Sequence, residues 1–101
     1  MARFLITYHA GDMSHDRESI AEARQAFTEW ATKTGPALAD FGAPVRSTTT
    51  ISSGGIHDGA SAWPFMGWSV IEAEDGDTAL RMLQDHPFLS RGGILQLSEP
   101  I

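Results

Sequence analysis

The sequence predicts an α+β domain in which two helices cover one face of an antiparallel four-stranded sheet, in the order β-α-β-β-α-β. Three observations carry that prediction. Residues 3 to 10 alternate in strand fashion, residues 20 to 34 repeat at helical spacing, and the same succession of strand and helix signals recurs in the second half of the chain.

In the first strand, Phe4, Ile6 and Tyr8 fall on one face and Leu5, Thr7 and His9 on the other. Both faces carry apolar character, so both need some cover. After Gly11 the polar stretch Asp12 to Arg17 leads into a helix, with capping-box spacing at Ser19 and Glu22 and with Ser14 or Asp16 as caps one turn earlier. Ile20, Ala23, Phe27, Trp30, Ala31 and Thr34 make its buried stripe, while Glu22, Arg24, Gln25, Glu29 and Lys33 face outward. Gly35-Pro36 ends it, since glycine supplies a left-handed cap and proline cannot continue the ladder. Residues 37 to 52, rich in β-branched side chains after Pro44, read as a second strand with a kinked approach.

The clusters Ser53-Gly54-Gly55 and Asp58-Gly59-Ala60-Ser61 favour turns, which makes residues 53 to 66 one long hairpin connection before a third strand at Gly67 to Ala73. Asp75-Gly76-Asp77-Thr78 caps a short second helix whose apolar face is Ala79, Leu80, Met82 and Leu83 and which Pro87 stops. Gly92-Gly93 then turns the chain into a fourth strand at Ile94 to Glu99. Two β-α-β units with right-handed crossovers put both helices on one face of the sheet. The other face is left bare and shows Trp68, Val70, Leu5 or Leu95 according to register, so a homodimer is expected.

Composition bounds the function. A chain of 101 residues supports one domain, 1–101, with a core of modest size. It has no cysteine, which removes disulfides, thiolate nucleophiles and zinc-thiolate sites and fits a reducing compartment. Lys+Arg 7 against Asp+Glu 13 gives a net charge of −6, and the single lysine is Lys33. Without clustered cations neither nucleic acid nor an anionic membrane is an expected partner. The first strand turns polar by His9, too soon for a membrane span or a secretion signal, so a cytoplasmic location is expected. No cofactor is expected: Gly54-Gly55 and Gly92-Gly93 lack the strand-to-helix spacing of a phosphate cradle, and no histidine pair has helical metal-ligand spacing.

The candidate chemistry lies in a few side chains. His86 follows the second helix between Asp85 and Pro87, where its charge would titrate near neutral pH and serve as an acid or base, or would simply complement the helix dipole. Asp40 interrupts the apolar run Leu38-Ala39-Asp40-Phe41, so it is either a proton-transfer group with a raised pKa or a cap on loop amides. His9 ends the first strand at the mouth of the sheet, a third catalytic candidate and equally an ordinary surface site. Tyr8, Trp30 and Trp68, with Asp85 nearby, are candidates to line a ligand cavity, although aromatic residues also serve as plain core. His15-Asp16 and His57-Asp58 sit in loops and carry no metal pattern.

Trp30, the run Gly35-Pro36-Ala37-Leu38-Ala39-Asp40-Phe41-Gly42-Ala43-Pro44-Val45, the run Gly67-Trp68-Ser69-Val70-Ile71-Glu72-Ala73-Glu74-Asp75, and His86-Pro87-Phe88-Leu89 with Gly92-Gly93-Ile94 occur in an order that resembles the YCII-related family and its DGPF-type members. The resemblance spans nearly the whole chain. It implies a ferredoxin-like protomer, a dimeric α/β barrel and a pocket between sheet and helices or within the barrel. Some members resemble enzymes with a His-Asp pair, and others accompany sigma-factor regulation. The first-helix histidine of similar members falls near Ala26 or Phe27 here, and their Asp-Pro-Phe element reads Asp85-His86-Pro87-Phe88. Two functions are therefore expected to compete: a small-molecule enzyme or binder using His86, Asp40 and His9, and a non-catalytic accessory or regulatory interaction domain.

Overall fold

A computed structural model describes residues 1–10, 17–59 and 64–101. Strand β1 (Ala2–His9) keeps the predicted alternation, and helix α1 (Arg17–Thr34) follows it. Ser19 lies inside α1 rather than at its cap, and Ser14 and Asp16 are outside the described residues. Gly35 adopts φ +66° and turns the helix into a short 3₁₀ segment, Gly35–Ala37, before strand β2 (Leu38–Pro44). The chain continues through β3 (Thr49–Ser52), β4 (Gly55–Asp58), β5 (Phe65–Ala73), α2 (Gly76–Leu83), α3 (Pro87–Ser90) and β6 (Ile94–Ser98).

The main sheet has the order β2-β5-β1-β6, with every neighbouring pair antiparallel. This α+β arrangement is compatible with a ferredoxin-like fold. Register decides what each face carries, because residues paired across strands share a face. Phe4 pairs with Ile71, Ile6 with Ser69 and Leu97, and Tyr8 with Gly67 and Leu95. This face is buried under the helices, where Phe4, Ile6, Ile71 and Ala73 pack with Trp30, Ala31, Ala79 and Leu83. The opposite face carries Leu5 with Val70, Thr7 with Trp68 and Gln96, and His9 with Phe65 and Ile94. Three of the residues expected on the bare face are therefore there, whereas Leu95 belongs to the covered side.

Two stretches depart from expectation. The β-branched run after Pro44 does not prolong the second strand: Thr49–Ser52 folds back on Gly55–Asp58 as a separate two-stranded ribbon. Ser53-Gly54 allows this reversal, and the Ser52 hydroxyl accepts from the Gly54 N–H at 3.2 Å. Pairing with the adjacent segment closes a much smaller loop than joining the sheet would. The ribbon occupies part of the stretch expected as a plain connection. The second departure is at Pro87, which does not merely stop the second helix but starts α3, where its missing N–H and fixed φ suit the first helical turn.

Asp75 caps α2 as expected, its carboxylate accepting from the Thr78 N–H at 2.8 Å. No helix among the described residues is long and apolar enough to cross a membrane.

Candidate functional site

The alternation of β1 and β5 brings Tyr8 and Ser69 to the covered face, where their hydroxyl oxygens lie 2.9 Å apart. Both are buried, and so is His86, at 3% exposure. The His86 Nε2 is 3.2 Å from the Tyr8 hydroxyl, and its Nδ1 accepts from the Phe88 N–H at 3.1 Å as the N-cap of α3. At the far end the Ser69 hydroxyl donates to the Phe41 carbonyl at 2.8 Å.

Two backbone groups fix the direction of every bond in this chain. A carbonyl only accepts, so Ser69 donates to Phe41 and must accept from Tyr8. An amide N–H only donates, so the His86 Nδ1 must present its lone pair to Phe88, which leaves the ring proton on Nε2. The relay therefore runs from His86 Nε2–H to Tyr8, from Tyr8 to Ser69, and from Ser69 to Phe41.

Burial pushes the His86 pKa down from 6.5 to about 4, against a smaller opposing pull from the Asp85 carboxylate. The bond from the Phe88 N–H favours the same neutral ring. A histidine expected to titrate near neutral pH, or to carry charge beside a helix end, is thus held uncharged and serves as a directed donor. Tyr8 is shifted too: desolvation raises its pKa, and the bond with Ser69 only partly offsets this.

Aromatic rings enclose the histidine. Its centroid is 4.3 Å from that of Trp30, 5.3 Å from Tyr8 and 5.9 Å from Phe27. Phe27 stands edge-on to Phe41 at 6.5 Å, and Phe88 stands edge-on to Tyr8 at 5.3 Å. Beside this cluster opens a cleft of about 620 Å³ whose walls include Phe27, Phe41, Met66, Phe88, Arg24 and Arg91, with Tyr8, Ser69 and His86 also lining it.

An irregularity in β2 shapes one wall. Its register against β5 slips on both sides of Asp40, and Gly42 takes φ +68°. A side chain at Gly42 would meet the Trp68 carbonyl oxygen at 1.7 Å, so only glycine admits this close approach. The slip frees the Phe41 carbonyl for Ser69.

The predicted site residues divide. Tyr8 and Trp30 surround His86 as a unit. Trp68 also lines the cleft, yet its register places it opposite Thr7 of β1 and Ala43 of β2, on the other face of the sheet from Tyr8. Asp40 is exposed and caps the Gly42 N–H at 2.9 Å, which is the loop-amide alternative rather than a buried acid. His9 points to the opposite face from Tyr8, its Nε2 2.9 Å from the Thr7 hydroxyl and its ring 5.8 Å from Phe65. Asp85 faces a different cleft of about 560 Å³ beside Lys33 and Arg81, and its bond with Lys33 holds its carboxyl below the usual range. Of His86, Asp40 and His9, His86 alone is among the residues lining the larger cleft.

Ser69, Phe41, Arg24 and Arg91 are site residues that sequence reasoning passed over. Ser69 alone left a signal, because alternation puts it between Gly67 and Ile71 on the buried face, where a hydroxyl needs partners. His57 is exposed on the ribbon, and His15-Asp16 fall outside the described residues. Compared with protein-family models, with curated proteins and with solved structures, the chain matches none.

Proposed function

We propose that the chain is a dimeric domain that binds a small organic molecule in the cleft over Tyr8 and His86. The observation that carries this reading is an apolar cleft of about 620 Å³ with a single ordered polar relay at its wall. Small-molecule sites combine such walls with a few placed polar groups, in volumes of roughly 300 to 1,000 Å³. Tyr8 belongs to a preset wall: its hydroxyl is held by His86 and Ser69, so its orientation is fixed before any ligand arrives. A fixed wall lowers the ordering cost of binding.

The resemblance to the YCII-related family, with its ferredoxin-like protomer and dimeric α/β barrel, is part of the same reading. The bare sheet face bearing Leu5, Val70 and Trp68 supports it as the surface on which a second copy packs.

A thermal-shift screen against a metabolite library tests the function, since a ligand that binds only the native state raises its melting temperature by mass action. A hit is expected with the unaltered chain and lost in Thr28→Trp, which fills the cleft from the exposed side of α1. Hits that survive Thr28→Trp, or a screen without any hit, would turn the reading toward an accessory interaction domain.

A further inference from the structure

We infer that the cleft selects an organic anion, its charged head held by Arg24 and Arg91 and its apolar body laid against Phe27, Phe41 and Phe88. The inference rests on the small-molecule reading above and narrows it to a class of ligand.

The charge distribution is the first ground. The chain carries a net charge of −6, with 13 acidic residues and only 7 Lys and Arg. Yet two of those cations line this one cleft and no Asp or Glu does. The ion pairs among the described residues are Arg3 with Glu72 and Lys33 with Asp85, so neither cleft arginine is neutralised by a carboxylate there. His86, the other titratable base in the lining, is neutral and adds no positive charge.

The second ground is a missing partner. Arg91 Nε is buried and has no hydrogen-bond acceptor, the one such buried side-chain atom among the described residues. Buried donors in folded proteins are matched as a rule, and an unmatched one on a cation is the costliest kind. Every other polar side chain of the relay is already engaged: Tyr8, Ser69 and His86 satisfy one another and two backbone groups. The cleft therefore offers a ligand cationic donors above all.

Arg24 is open to solvent, whereas Arg91 is partly buried, so a neutral polar molecule would leave the Arg91 charge without a counter-ion beside the aromatic walls. A carboxylate, sulfonate or similar oxyanion supplies that counter-ion, and guanidinium groups bind such heads through paired N–H donors. Arg24 is exposed on α1 and Arg91 closes α3, two elements that touch, so the head sits toward solvent and the apolar body points inward. Inorganic anions lack the body that the aromatic walls would hold.

Two fluorescent probes with a common aromatic body provide the test: 8-anilino-1-naphthalenesulfonate, which carries a sulfonate, and N-phenyl-1-naphthylamine, which is neutral. Each is titrated into the unaltered chain, R24Q, R91Q and R46Q, after circular dichroism confirms folding. Arg24 is exposed, so R24Q remains informative even where R91Q does not fold. The expected result is a loss of roughly tenfold or more in sulfonate affinity at a cleft arginine, the size of one charge-assisted hydrogen bond, with no change for the neutral probe. R46Q should leave both probes unchanged. If both probes bind and the sulfonate affinity is the same in R24Q and R91Q, or falls only in R46Q, the inference is overturned while the small-molecule reading stands. If neither probe binds, both fall together.

Discussion

Tyr8 is the single tyrosine of the chain, so its ionisation can be followed without any other residue contributing. Burial raises its pKa above the usual 10.0. Alkaline titration of the native protein, read by the ultraviolet absorbance of tyrosinate, should therefore show ionisation displaced to higher pH and returning to about 10 in urea. A native titration centred at 10 would remove Tyr8 from a buried relay. His86 supplies a second prediction at this scale. Its native pKa is about 4 against 6.5 when unfolded, so as pH falls from 6.5 towards 4 the unfolded chain gains a proton that the folded chain does not. The stability linked to this group is fully present above pH 6.5 and about 3 kcal/mol of it is lost by pH 4. Urea unfolding across that window should show the decline, and His86→Gln, which cannot charge, should flatten it. Asp75 and Asp85, whose pKa values are lowered by Thr78 and Lys33, add their own losses only at lower pH. At this scale much of the site was legible: Tyr8, Trp30 and His86 are large or titratable groups in suggestive places. Arg24 and Arg91 were not, because helical spacing put Arg24 on the outward face and nothing local ties residue 91 to residue 24.

Among the elements, β2 has the most unusual geometry, and Gly42 is the reason it holds. Gly42→Ala would need both a left-handed backbone and space that the Trp68 carbonyl occupies. The expected cost is about 2 to 4 kcal/mol in urea unfolding. Gly35→Ala is the control: its φ is +66°, but nothing lies within 4 Å of the added atom. That change should cost only about 1 kcal/mol, the backbone part alone. Equal losses at the two positions would mean that the close approach to Trp68 is not maintained in solution. Periodicity revealed α1, β1, β5 and β6 and capping revealed α2, since these elements obey local rules, whereas the second strand was read on β-branched residues that lie beyond the end of β2. The ribbon of β3 and β4 was hidden because its β-branched residues suit any strand, and propensity does not say which neighbour a strand will choose. The slip around Asp40 was equally hidden. It arises from contact with β5, residues far away in sequence, and its local sign was a single glycine.

The whole molecule is a slab. Its extents are 40 × 39 × 19 Å, and the short dimension is close to one sheet plus one layer of helices. The radius of gyration is 14.4 Å, above the roughly 13 Å of a compact domain of this length. Among the described residues of the sheet face turned from the helices, Leu5 is exposed and Thr7, Trp68 and Val70 are half-buried, in keeping with the proposed pairing. Light scattering is expected to give twice the chain mass, and Leu5→Glu, at an already half-open position facing Val70, should yield a folded single copy. A dimer undiminished by Leu5→Glu would place the contact elsewhere.

The alternation of β1 has one more consequence. Tyr8 and Leu5 lie on opposite faces of the same strand, so β1 stands between the relay and the face proposed for pairing, with Trp68 bordering both that face and the cleft. In a pair joined through the open faces, the two relays point away from each other with two sheets between them. Each copy then saturates independently: occupancy follows a simple hyperbola with a Hill coefficient near one, and stoichiometry is one ligand per chain.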